Sequence, residues 1–365
     1  MFRAGVRRKG ILSHPGGGWT LVAGADTVIA MAEKVTVIGD GGMGTTCAIM
    51  LAENGWDVCL WSAFADAAER LARERENRRF LPGHPLPEAV RVTGADAEAL
   101  AGADLVVSAV PTQYARSVWE RLAAHCPGGA GICSVAKGIE NGTLLRPTQI
   151  LQEVLTPAAG GHLVAALSGP SIAPEVARKL PATVVVAAAS RDFAERVQQA
   201  VSRPYFRVYT NDDLIGVEIA GATKNVVAIA AGILDGLSAG DNAKAALVSR
   251  GLSEITRLGV VLGALPETFA GLAGVGDLVT TCISPVGRNR SFGEAIGRGR
   301  GVRETLEATD AVVEGVATTT SVVELARLHG VEMPITQAVH DVLFGGVAPA
   351  DAISRLMTRP LKAER

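Results

Sequence analysis

Short β-branched runs alternate with amphipathic stretches as far as Tyr209, and beyond it the alternation stops. Lys34–Gly39 (KVTVIG), Asp57–Trp61 (DVCLW), Arg91–Thr93, Asp104–Val110 (DLVVSAV), Gly131–Ala136 (GICSVA), Leu163–Leu167 and Thr183–Ala187 read as strands. Helical patterns fill Gly42–Asn54, Ala65–Arg79 and Thr112–His125, and Asn54-Gly55 marks a helix stop. Pro82, Gly83, Pro85 and Pro87 break the chain after the second helix. Strands separated by helices predict a doubly wound parallel sheet of the Rossmann-like α/β class. From Asp212 to about Leu237 runs one long helical pattern, followed by helical segments at Ala245–Leu262, Ser291–Arg298, Thr320–His329 and Ile335–Leu343. The predicted fold is therefore a Rossmann-like domain over residues 33–210 and an all-α C-terminal domain over 211–365.

A chain of 365 residues suits that two-domain reading. With 48% hydrophobic and 20% charged residues it is globular rather than disordered. The net charge of -2 and the 4% aromatic content argue against a nucleic-acid partner. Cys47, Cys59, Cys126, Cys133 and Cys282 form no CxxC pair and read as buried reduced thiols in a cytoplasmic protein. The six histidines show no ligand spacing, so no catalytic metal is expected. No uninterrupted apolar run has the length of a membrane span. Residues 1–32 differ from the rest. Arg3, Arg7, Arg8 and Lys9 precede an apolar stretch that Pro15, three glycines and Asp26 interrupt, which spoils a signal peptide. The segment is expected to be a disordered extension, with Met31 the natural start.

Several local patterns carry chemistry. Gly39-Asp40-Gly41-Gly42-Met43-Gly44 fits G-x-G-x-x-G between a strand and a helix, the context in which that pattern cradles a dinucleotide pyrophosphate. The second strand ends Trp61-Ser62-Ala63, with neither the acid that receives NAD ribose hydroxyls nor an arginine, so NAD and NADP are not distinguished. Lys224 is flanked at helical spacing by Ala220, Gly221, Val227 and Ala228. Its stem either snorkels to water, or its ammonium sits in a cleft suited to proton transfer. Lys137 follows a strand at the end where doubly wound folds bind ligands, and is otherwise an ordinary loop lysine. Asp277, among glycines and apolar residues, is either a sheltered carboxylate seeking cations or a helix cap. Gly287-Arg288-Asn289-Arg290-Ser291 before a helix suits either a phosphate or a solvated basic turn.

At these residues the chain resembles bacterial NAD(P)-dependent glycerol-3-phosphate dehydrogenases. The resemblance runs from about Lys34 to Lys362 through GDGGMGT, NGWDVCLW, SVAKGIE, LSGPSIAPE, GATKNVVAIAAG, GLAGVGDLVTTC, GRNRSFG, VVEGVATT and GVEMPIT, in order. It implies a C-terminal domain like that of 6-phosphogluconate dehydrogenase, NAD or NADP as cofactor, and Lys224 as the catalytic proton donor and acceptor. It implies substrate contacts from Lys137, Gly169, Ser171, Lys224, Asp277, Gly287, Arg288 and Asn289. Cofactor contacts are implied for Gly39, Gly41, Gly42, Met43, Gly44, Lys137, Ala173, Arg288, Val312 and Glu314. A phosphorylated small-molecule substrate, a homodimer, a cytoplasmic location and a supply of glycerol 3-phosphate for glycerophospholipid synthesis are implied as well. The family more often has Thr at Ser171 and Ser at Gly287; its first turn commonly has Ala at Asp40, Ser at Gly42 and an aromatic at Met43. A carboxylate at Asp40 repels a pyrophosphate unless it points away. A dehydrogenase for another hydroxy acid or phosphorylated ketone, and a non-catalytic NAD(P)H sensor, are the alternative readings.

Overall fold

A computed structural model describes residues 33–159, 161–309, 311–361 and 363. The expectations for residues 1–32, the start at Met31 among them, lie outside the described residues. The chain runs through β1 (Lys34–Ile38), α1 (Gly42–Glu53), β2 (Asp57–Trp61), α2 (Ala65–Glu74), β3 (Val90–Thr93), α3 (Asp96–Leu100), β4 (Leu105–Ser108), α4 (Thr112–Leu122), β5 (Gly131–Ser134), α5 (Pro147–Ala159), β6 (Val164–Ser168), α6 (Ala173–Ala177), β7 (Ala182–Ala188), α7 (Arg191–Val201) and β8 (Phe206–Asn211). Helices follow: α8 (Leu214–Gly236), α9 (Asp241–Val261), α10 (Pro266–Ala270), a π-helical turn (Leu272–Gly276), α11 (Asp277–Ile283), α12 (Arg288–Gly297), α13 (Val302–Glu307), α14 (Glu314–Leu328), α15 (Pro334–Phe344) and α16 (Pro349–Met357).

The strands form one sheet in the order β3-β2-β1-β4-β5-β6-β7-β8. The first six strands are mutually parallel. The expected Rossmann-like sheet is thus present, with one departure. β7 runs antiparallel to β6, with Ser168 opposite Val185, and β8 pairs parallel to β7. The segment from Gly169 to Pro181 contains only the five-residue α6, so the chain re-enters the sheet from the end it has just left. A second departure is α2, which stops at Glu74 rather than Arg79 because Arg75 adopts the left-handed conformation as its cap.

Strand order reverses between β1 and β4, and a doubly wound sheet opens its ligand crevice there, beyond the strand ends. Two apolar clusters cover the faces of the sheet, one built around Val35, Val37 and Leu60, the other around Ile38, Trp61 and Trp119. A third is centred on α8 and includes Ala166, Val185 and Ala187 of the sheet. α8 is apolar nearly all round, as a core helix must be. Among the described residues it is the one helix long and apolar enough to cross a membrane, but most of it is buried inside the fold. All five cysteines are free and buried.

Candidate active site

The glycine turn lies at the point of strand reversal. Gly39 has φ +108, and a Cβ there would sit 2.9 Å from the Ala109 carbonyl oxygen beyond β4. A Cβ on Gly44 would collide with the Gly39 carbonyl. Internal packing therefore demands both residues. Gly41 is different, since a Cβ there would meet nothing within 4 Å. Open space over a glycine at the start of α1 is what a group approaching the backbone and the first N–H groups requires. Gly42 and Met43 form the first turn of that helix. Ala173, at the start of α6, packs beside it: its carbonyl accepts from Thr46 Oγ1 at 3.5 Å, and its methyl would touch a Cβ on Gly42.

Lys224 and Asp277 meet in a second cluster. Lys224 Nζ lies 2.9 Å from Asp277 Oδ1 and donates to Thr281 Oγ1 at 2.6 Å. Lys137, three residues beyond β5, donates to Asp277 Oδ2 at 2.6 Å and to the Gly169 carbonyl at 3.0 Å. The Lys137 carbonyl accepts from Asn225 Nδ2 at 2.9 Å, which ties the loop after β5 to α8. Lys224 is only 5% exposed and Asp277 2%. Burial, opposed by Asp277 and reinforced by Lys137, pulls the Lys224 ammonium down to about 8. Burial alone would raise Asp277, but Lys137 and Lys224 outweigh it and hold the carboxyl below its ordinary range. Of the sequence alternatives, the snorkelling lysine and the capping aspartate are set aside. Lys224 ends in a buried ion pair, and Asp277, the first residue of α11, spends both oxygens on lysines.

An ammonium has three N–H groups. Lys224 and Lys137 each direct two at protein oxygens, which leaves one on each for a further acceptor. Two ammoniums against one carboxylate also leave a net positive charge in a buried setting, suited to an anionic oxygen. Three buried hydroxyls nearby lack a partner: Ser168 Oγ, facing Gly221, and Thr112 Oγ1 and Thr318 Oγ1, facing Gly138. Buried hydroxyls in such numbers fit a site that takes a polar guest. Ser171 Oγ donates to the same Gly169 carbonyl at 3.0 Å. The segment from Gly169 to Ala173 therefore touches the lysine pair at one end and the glycine turn at the other.

The basic segment forms the start of α12. Gly287 is its N-cap, with Arg288 exposed and Asn289 buried. Arg288 Nη1 donates to the Val312 carbonyl at 3.0 Å, and Asn289 Oδ1 accepts from Gly315 N at 3.0 Å. Glu314 lies between, at 3.5 Å from the Thr112 amide nitrogen. Burial raises its carboxyl above the usual range, against the pull of Arg288, the Thr112 amide, Lys137 and Lys224. Glu314 thus feels both the lysine pair and Arg288, placing the two within electrostatic reach of one carboxylate. Sequence reasoning missed Thr281 and Asn225. Thr281 lies four residues after Asp277, so helical spacing was the signal available for it, whereas Asn225, next to Lys224 in the chain and off its face, carried none.

Comparison with known proteins bears on both halves of the fold. The N-terminal domain of NAD-dependent glycerol-3-phosphate dehydrogenase matches residues 34–194, and the C-terminal domain of the same family matches 213–354. The chain belongs to this family. As a glycerol-3-phosphate dehydrogenase family member it is 49% identical over 334 residues to the glycerol-3-phosphate dehydrogenase [NAD(P)+] of Citrifermentans bemidjiense, covering 92% of this chain and 99% of that one. It is 47% identical to the corresponding protein of Thermobifida fusca, over 91% and 98% of the two chains. The crystal structure of glycerol-3-phosphate dehydrogenase from Coxiella burnetii superposes with a TM-score of 0.85 at 38% identity, covering 90% of this chain and 99% of that one. This glycerol-3-phosphate dehydrogenase family fold is the frame in which the lysine pair sits. Among the described residues no group of three or more His, Cys, Asp or Glu could hold a metal ion.

Proposed function

We propose that this chain interconverts dihydroxyacetone phosphate and sn-glycerol 3-phosphate with NADH or NADPH. The observation that carries the reading is the buried Lys137–Asp277–Lys224 cluster, joined by the Gly169–Ala173 segment to a glycine turn with open space at Gly41. Bound dinucleotide supplies or takes up the hydride. Lys224 gives a proton to the ketone oxygen in reduction and accepts it in oxidation, a role worth ~10²–10⁴-fold in rate. Lys137 stabilises negative charge on the same oxygen through its remaining N–H. Asp277 holds both ammoniums in place. Gly169 and Ser171 border the substrate, while Gly287, Arg288 and Asn289 at the start of α12 hold its phosphate, whose binding energy goes into orienting the carbonyl. Gly39, Gly41, Gly42, Met43, Gly44 and Ala173 hold the pyrophosphate side of the dinucleotide; Lys137, Arg288, Val312 and Glu314 border its other end. In this division of labour residues 33–210 carry the glycine turn and most of the cofactor contacts, and 211–365 carry the proton-transferring lysine and the phosphate-binding segment. We further place the protein in the cytoplasm as a homodimer serving glycerophospholipid synthesis, on the family resemblance.

The test follows absorbance of NADH and of NADPH with dihydroxyacetone phosphate and with unphosphorylated dihydroxyacetone. Rapid oxidation only with the phosphorylated ketone is the expected result. Equal rates with both ketones would remove the phosphate role from Arg288, and no oxidation by folded, dinucleotide-binding protein would reject the reaction.

A further inference from the structure

Asp40 occupies the middle of the glycine turn, where a negative charge ought to oppose a pyrophosphate. The structure turns it elsewhere. β1 and β2 are adjacent and parallel, with Ile38 level with Trp61, so the residues after the two strands lie side by side. The backbone of Asp40 is pinned by Asn77 Nδ2, which donates to its carbonyl at 2.6 Å, and by Thr45 Oγ1 at 3.3 Å. Its carboxylate reaches sideways and accepts from Ser62 Oγ at 2.9 Å. Ser62 is fully buried just beyond β2. A carboxylate therefore stands at the C-terminal end of β2 although β2 itself ends without one. That is where dinucleotide-binding sheets place the acid that receives the ribose hydroxyls. The Ser62 bond occupies one of about four lone-pair positions on the carboxylate, and the others can accept from the two hydroxyls of a ribose. The guanidinium at this strand end is already engaged: Arg121 pairs with Asp96 at 2.7 and 2.6 Å, donates to the Ala63 carbonyl and lies over the Trp61 ring.

We propose that Asp40 receives the hydroxyls of the adenine-side ribose and thereby makes this chain select NADH over NADPH. The inference rests on the dinucleotide reading above. A 2′-hydroxyl donates to the carboxylate, whereas a 2′-phosphate brings a charge of about -2 against it. The test is direct titration of NADH and NADPH binding to the full chain by nicotinamide fluorescence, with no substrate present. The native chain is expected to bind NADH at least about tenfold more tightly than NADPH, the usual scale of a hydrogen bond to a charged group. Asp40→Ala should weaken NADH binding by about the same factor. Asp40→Asn keeps the shape and an acceptor for Ser62, and should narrow the preference mainly by tightening NADPH. Equal affinities in the native chain, or an unchanged NADH/NADPH ratio in both variants, would overturn the role of Asp40 while leaving dinucleotide binding intact. Failure of the native chain to bind either dinucleotide would instead bring down the reading on which the role rests.

Discussion

Lys224 and Lys137 share one carboxylate but differ in their second partner, a hydroxyl for Lys224 and a backbone carbonyl for Lys137. Burial leaves Lys224 titrating at about 8, within reach of ordinary assay conditions. The sign for activity follows from which form acts. Ketone reduction needs the ammonium, so its kcat/KM should fall as pH rises through about 8; alcohol oxidation needs the neutral amine and should rise across the same interval. Profiles in the two directions check this, and a reduction rate flat from pH 7 to about 10 would remove Lys224 as the donor. Asp277 raises the Lys224 value, so Asp277→Asn should move the reduction limb to lower pH. The same variant leaves buried ammoniums without their counter-charge, a loss on the order of 3 kcal/mol in urea unfolding at neutral pH. Because the Asp277 carboxyl is held below its ordinary 3.8 in the fold, its stabilisation is complete above that value and lost as pH falls through the lowered one. The stability gap between native and variant chains should therefore close in acid. The residue types and their setting were legible from the sequence: a lysine on an apolar helical face, an aspartate among glycines. Their meeting came only from the family resemblance, which gave all three to one substrate, because Lys137, Lys224 and Asp277 lie on separate elements whose packing no local pattern specifies. The direction of Asp40 was equally hidden, since it depends on the β1–β2 register.

At the level of elements, the start of α12 is placed by close packing against α8. A Cβ on Gly293 would strike the Ile229 carbonyl, and one on Gly232 or Gly297 would likewise collide with backbone across the same interface. Backbone cannot move aside as a side-chain tip can. Gly293→Val should thus cost more than the ~1–3 kcal/mol typical of an overpacked core, and should raise the substrate KM by displacing Arg288 and Asn289. Urea unfolding and initial-rate kinetics read the two effects, and a variant of native stability would show that α8 and α12 have room to part. Long helices and unbroken apolar runs were the legible elements. The patterns at α8 and α9 lie within a few residues of the observed spans because many positions report one period, and β1 and β2, five residues each, are marked by continuous runs of β-branched and apolar residues. Short helices escaped. α3 and α10 have five residues each, too few for a period to register, and the π-helical turn before Asp277 follows from no propensity. Strand alternation also carries no direction, so the reversal at β7 was not legible.

At the scale of the molecule, the sheet and the helices after it are bound through α8. Its apolar cluster takes Ala166, Val185 and Ala187 from β6 and β7 together with Ile255 and Leu258 from α9, so neither half closes its core without the other. Polar ties cross the same boundary. Buried Glu218 of α8 accepts from Thr148 N at 2.9 Å and Thr148 Oγ1 at 2.6 Å and pairs with Arg146, and Ser321 of α14 donates to the Ile139 carbonyl at 2.9 Å. Unfolding the helical half alone would strand Arg146 and Thr148 and uncover the sheet face under α8, a loss of apolar burial at roughly 25 cal/mol per Å² that adds to the cost of releasing that half and opposes the chain entropy it regains. The two halves should therefore unfold in one transition. Trp56, Trp61 and Trp119 lie in the sheet half and report it by fluorescence in a chain carrying Trp19→Phe, while pulse hydrogen exchange of peptides from α9 reports the helical half. Coincident urea midpoints are expected. A helical half that exchanges at lower urea, with tryptophan emission still native, would show that α8 can leave the sheet and that the site, which takes Lys137 from one half and Lys224 and Asp277 from the other, opens by local unfolding.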